Sequence, residues 1–169
     1  MRFRSVASII IMLCLSVPLF AQDANRGTAT ATIKGKTVSI DYGRPSLKGR
    51  DMLAKAPVGM VWRLGMNKPT VIETTGDLVV AGKELKAGKY SLWAKKAGED
   101  SWILAFHPEV PGWGVPVKTE GYVAELPLKS EKATDAAEQL TISLADSQGK
   151  GTVKIHWGTA LLTGAFDVK

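Results

Sequence analysis

From Gly27 onward, apolar and polar side chains alternate in short segments bounded by Gly, Asp, Asn or Pro. An extended strand turns successive side chains to opposite faces, so this two-residue period predicts half-buried strands. No window of helical length carries a 3.6-residue apolar stripe. At most one helical turn is expected, at 51–55. The chain should therefore be all-β, an antiparallel β-sandwich of jelly-roll-like or related form, with two long loops.

The first pair of strands is expected at 28–33 and 37–42, joined by Lys34-Gly35-Lys36, with Val38, Ile40 and Tyr42 on one face. Further strands are predicted at 61–64, 70–75, 78–81, 89–95, 102–107, 121–128, 139–145, 152–157 and 160–168. Single apolar faces are formed by Leu140, Ile142 and Leu144, by Val153, Ile155 and Trp157, and by Tyr122, Ala124, Leu126 and Leu128. Residues 102–106 are apolar on both sides and should form the most enclosed strand. Thr75-Gly76-Asp77, Ala81-Gly82-Lys83, Ala87-Gly88-Lys89 and Gln148-Gly149-Lys150-Gly151 supply glycine for tight reversals.

Two connections exceed simple turns. One runs from Gly43 to Met60; the other, from Pro108 to Thr119, carries three prolines, two glycines and Trp113. Loops of more than about 12 residues without regular structure are usually functional or disordered. The apolar and aromatic content of these two argues for function, so a binding site is expected beside them.

The N-terminal segment has the form of an export signal: Arg2 and Arg4 precede a largely apolar run over 6–20 that stops at Ala21, before a polar stretch. Cleavage is expected after Ala21, with a retained anchor as the alternative. The apolar run is short for a membrane span, which takes about 20 residues. Leu13 before Cys14 is too large for a lipoprotein site. The cleaved product, residues 22–169, would be one domain of 148 positions, in the periplasm or secreted, with no stable membrane span. It would contain no cysteine, because Cys14 is the only one. Loss of Arg2 and Arg4 leaves 20 basic residues against 16 acidic ones, a net charge of +4 from the full chain's +6. The basic residues are scattered beside turns, which suits solubility and edge protection. No nucleic-acid partner is expected.

The order of short motifs carries a resemblance. Tyr42-Gly43-Arg44-Pro45, Lys48-Gly49-Arg50, Val61-Trp62-Arg63-Leu64-Gly65-Met66-Asn67, Ala81-Gly82-Lys83, Ala87-Gly88-Lys89-Tyr90-Ser91-Leu92-Trp93 and Trp102 follow one another along the chain. Over roughly 28–158 this series resembles the uncharacterised bacterial family catalogued as domain of unknown function 2911. The resemblance implies an exported, mostly β protein of unassigned activity, and it carries over no catalytic residue. Where the family's pattern tends to Trp-Glu, this chain has Trp157-Gly158.

The candidate site residues are Tyr42, Arg44, Arg50, Trp62, Arg63 and Asn67, with Trp93 and Trp113 as a second aromatic possibility. Arginine offers a planar fork of donors to a carboxylate or phosphate; Tyr and Trp add rigid surface and a cation-π partner. The structural alternative has Arg44 and Arg50 satisfying loop carbonyls and pairing with Asp41, Asp51 or Glu73. In that reading Trp62 fills the core and Trp93 packs beneath the Pro-rich loop.

Other chemistries find little support. His156 should point outward beside Lys154, and proline between His107 and Glu109 restricts their convergence, so no metal site is expected. There is no G-x-S-x-G nucleophile motif and no glycine loop opening onto a helix, so no nucleotide cofactor is expected. Asp41 and Glu73, on neighbouring strands, remain open as a glycosidase-like pair. The expected role is non-catalytic binding of a small polar ligand, a glycan or an envelope protein. The alternative is a hydrolase acting on cell-envelope polymers or glycans.

Overall fold

The computed structural model describes residues 25–112 and 118–169; the leader, its cleavage position and Trp113 lie outside the described residues. The described chain is all-β. Its strands are β1 (Arg26–Ile33), β2 (Lys36–Gly43), β3 (Val61–Trp62), β4 (Thr70–Thr74) and β5 (Leu78–Val80), followed by β6 (Lys83–Leu85), β7 (Gly88–Lys96), β8 (Ser101–His107), β9 (Ala124–Ser147) and β10 (Lys150–Val168). Residues 51–55 make a hydrogen-bonded turn and no helix, with Ala56 N donating to Leu53 O at 3.2 Å.

All ten strands join one sheet in the order β1-β2-β4-β7-β8-β9-β10-β5-β6, with β3 added to β7, and every pairing is antiparallel. β9 and β10 are long enough to serve two layers. The first part of β9 pairs with β8, Trp102 facing Leu128 and Phe106 facing Ala124. Its later part lies across β1 and β2, where Tyr42 Oη donates to Ile142 O at 3.3 Å and Leu140 N to Pro45 O at 3.0 Å. Thus the sheet turns back over itself like a sandwich while its strand order stays open. Between the layers lies one apolar cluster that includes Ile33, Ile40, Leu92, Leu104, Phe106, Leu140, Ile155 and Leu162.

Three turns set the hairpin registers. Lys34-Gly35, Ala81-Gly82 and Gln148-Gly149 each place two consecutive residues at positive φ, between +46° and +81°, and each joins adjacent paired strands. Two positive φ values define the type I′ turn, whose twist matches that of the strands it connects. Gly151, expected in the last of these turns, instead lies buried within β10 against Phe166.

The structure also corrects several strand boundaries. Residues 124–128 of the first expected segment and all of 139–145 belong to one strand of 24 residues, and 152–157 and 160–168 to one of 19. Between His156 and Ala160 β10 advances four residues while β9 advances nine, from Thr141 to Lys132. The surplus bulges out of β9, and Gly158 at φ +61° sits at the irregularity. β6 was not expected, because Lys83-Glu84-Leu85 offers a single apolar side chain. Tyr122 precedes the strand and leaves the apolar face assigned to it: its ring meets His107 edge-on at 6.1 Å and lies beneath Lys95 Nζ at 5.0 Å.

Candidate functional site

β7 lies mid-sheet, and Leu92 and Ala94 face the core. Strand alternation sends Ser91, Trp93 and Lys95 to the other face. That face should be wet, yet Ser91 is 0% and Trp93 1% exposed. The cover comes from the β3–β4 connection, where Arg63, Asn67 and Pro69 share a crevice with Trp93, and from the second long connection, which adds Gly112; the first long connection, 43–60, lends it no residue. Its indole Nε1 donates to Ser91 Oγ at 3.1 Å, so Trp93 is a packed floor and offers no open stacking face.

The second connection is fastened at both ends. Ser91 Oγ donates to Glu109 O at 2.6 Å, and Glu109 N donates to His107 Nδ1 at 3.0 Å. A serine, a histidine and a glutamate meet here, but their bonds run to the Glu109 backbone and not from serine to imidazole. The arrangement clamps a loop; it does not activate a nucleophile. The Glu109 carboxylate turns to Lys118, whose ammonium holds it below the usual carboxylate range. Tyr122 Oη donates to Lys118 O, and burial pushes its phenol above the ordinary value.

Beside Trp93 the surface opens into a cleft of about 230 Å³ between Arg26, Asp41 and Lys68 on one side and Val110 and Pro111 on the other. Pro69 and Gly112 belong to both this cleft and the crevice over Trp93. Arg26 grips Asp41 with two nitrogens, Nε donating to Oδ1 at 3.1 Å and Nη2 to Oδ2. Its Nη1 is buried with no acceptor among the described residues. Among those residues no acid pairs with Arg63 or Lys68 either. The cleft therefore presents two cations, Arg26 and Lys68, and one carboxylate that Arg26 already engages, with Arg63 in the adjoining crevice.

Of the sequence-derived candidates, the structure brings Arg63, Asn67 and Trp93 together. Asn67, at φ +61°, belongs to the bend over 64–68, which Thr70 Oγ1 ties down by donating to Leu64 O at 2.6 Å. Tyr42, Arg44, Arg50 and Trp62 line neither the crevice nor the cleft. Tyr42 is buried, and Arg44 Nε donates to the carbonyl of Leu140 at 3.4 Å. Trp62 stacks on Trp157 with centroids 5.3 Å apart and planes at 16°. Arg50 is exposed.

The carboxylates take partners other than those arginines. Asp41 pairs with Arg26, Glu73 with Lys89 at 3.3 Å, and Asp51 accepts from Ala54 N at 3.2 Å and Thr159 Oγ1 at 3.2 Å. Asp41 and Glu73 thus share one face of β2 and β4, each engaged by a cation. His156 Nε2 lies 3.3 Å from Asp135 O. Among the described residues no three His, Cys, Asp or Glu converge as a metal would require, and no helix is long and apolar enough to cross a membrane.

Sequence reasoning missed Arg26. The available signal was register: with a two-residue turn at Lys34-Gly35, Thr28 faces Asp41, and Arg26 becomes the diagonal neighbour on the same face.

No curated protein and no solved structure matches the chain. A family model matches residues 24–164, a span containing every strand but the end of β10, both long connections and the cleft beside Trp93. On that match the chain belongs to the family described as Protein of unknown function (DUF2911).

Proposed function

We propose that this protein is an exported, non-catalytic binding module that holds a small polar ligand through an anionic group in the cleft beside Trp93. The observation that carries this reading is the buried Arg26 Nη1, a donor without an acceptor among the described residues, on a side chain that lines the cleft. A buried donor left unsatisfied costs about 1–3 kcal/mol, more when charged, so a carboxylate or phosphate oxygen reaching it would recover that penalty. Lys68 adds positive charge in the cleft and Arg63 in the adjoining crevice, and the fastened loop supplies a preformed wall. Preformed walls limit the ordering cost of binding.

The purified protein should gain thermal stability with citrate or inorganic phosphate, because a ligand that binds only the native state raises its apparent stability. Lys68→Ala and Arg63→Ala should keep β content and lose that gain. Equal protection of both variants, or protection by neutral sugars alone, would sink the assignment. Export is tested by N-terminal sequencing of protein recovered from the periplasm or medium, which should begin at Gln22.

A further inference from the structure

A second cavity, of about 340 Å³, opens at the other end of β7 and on its opposite face. Its polar base is Lys96, which alternation places on the core face in line with Leu92 and Ala94. Lys96 is only 8% exposed, and its Nζ lies 5.0 Å from the centroid of the buried Trp102 ring. Among the described residues that ring is its partner; no carboxylate and no carbonyl accepts from the ammonium. An indole face attracts the positive charge but accepts none of its three N–H donors in the ordinary way. Lys96, a residue more than nine-tenths buried, therefore lines the cavity with no acceptor for its ammonium among the described residues.

The rest of the lining narrows what can enter. Leu53 and Ala160 make the walls apolar, whereas Glu99 and Asp100 stand at the rim, on the turn between β7 and β8. Among the described residues neither rim acid has an ion-pair partner. Lys132 also lines the cavity, and Glu131 is paired with Lys129. The lining thus sets a cation at the apolar base and two unpaired acids at the mouth, with the exposed Lys132 beside them. A simple anion would satisfy the base and be repelled at the rim. A molecule carrying both signs would satisfy both.

We infer that this cavity binds a small zwitterion, an α-amino acid or a dipeptide with free termini. Its carboxylate is set on Lys96, its ammonium toward Glu99 and Asp100, and its side chain against Leu53 and Trp102. The site is independent of the cleft beside Trp93, because it lies on the other face of β7 and shares no residue with it.

The test is calorimetry on the whole protein with glycine, alanine, leucine, phenylalanine and Ala-Ala, beside 4-methylpentanoate and 3-methylbutylamine, which each retain one of leucine's charges. Leucine or another of the zwitterions should bind, and each single-charge analogue should bind at least about tenfold more weakly. Lys96→Met should abolish binding. Because that position is buried, the exposed double change Glu99→Gln with Asp100→Asn provides a second reading: it should weaken the zwitterion and strengthen 4-methylpentanoate. Absence of heat from every zwitterion, or undiminished binding in both variants, would make Lys96 a structural cation-π lysine only.

Discussion

At position 158 a glycine and an aspartate divide one small space. Gly158 adopts φ +61°, and a Cβ there would lie 2.7 Å from Asp51 Oδ1. Asp51 in turn accepts from Thr159 Oγ1, which holds the first long connection against β10. Gly158→Ala should therefore cost about 1–3 kcal/mol, combining left-handed strain with displacement of that carboxylate, as measured by urea unfolding. Trp93→Ala should cost about 3–5 kcal/mol by the same measurement, since it empties a fully enclosed site. The sequence made Trp93 legible as a packing residue, through its proline-rich neighbour and its place on β7. It did not make Arg26 legible, because the partner Asp41 lies 15 residues away and meets it only through strand register. Nor did residue type separate Tyr42 and Trp62, which serve the core and the layer contact, from Arg63, which lines the crevice.

Among the elements, the hairpins were the most legible, since X-Gly pairs between alternating segments carry their own geometry. Ala81 and Gln148 nevertheless occupy left-handed positions that suit asparagine better. Ala81→Asn and Gln148→Asn should each raise stability by about 0.5–1 kcal/mol, read as a higher denaturation midpoint at unchanged slope. The fusion of expected strands into β9 and β10 was hidden because the bulged residues 133–136 lack a clear apolar face. The β5–β6 hairpin seats Leu78, Val80 and Leu85 in the core and carries a charge network on its surface: Lys86 bonds Asp77 and Glu84 at 2.8 Å each, and Lys169 bonds Glu84 at 2.8 Å. Lys86 and the amide of Ala87 hold the Asp77 carboxyl below its ordinary value, and Lys169 with Lys86 does the same for Glu84. A carboxyl depressed in the folded state contributes stability above its unfolded pKa of about 4 and loses it as pH falls through the folded value. Acidification below about pH 4 should thus speed hydrogen exchange at Ala87 before the central strands, and salt should have the same sign of effect at neutral pH.

For the whole molecule, the two-layer arrangement follows from β9 and β10 acting in both layers, which no single segment announces. The sequence predicted two layers from the number and spacing of strands; the doubling of one hairpin across them depends on contacts between residues far apart. Deleting 160–169 removes the partner of Lys129–Lys132 in β9 and of β5, together with the Lys34 Nζ to Val168 O bond of 3.1 Å. The shortened protein should lose its cooperative thermal transition and bind a hydrophobic dye. The same feature orders events during biosynthesis. β5 and β6 are made halfway along the chain, yet β5 acquires its inner neighbour, β10, only when Asp167 and Val168 arrive. The sheet therefore closes around β5 only after residues 167–168 have been made, so a chain stalled before them leaves the β5–β6 hairpin without its anchor in the rest of the sheet.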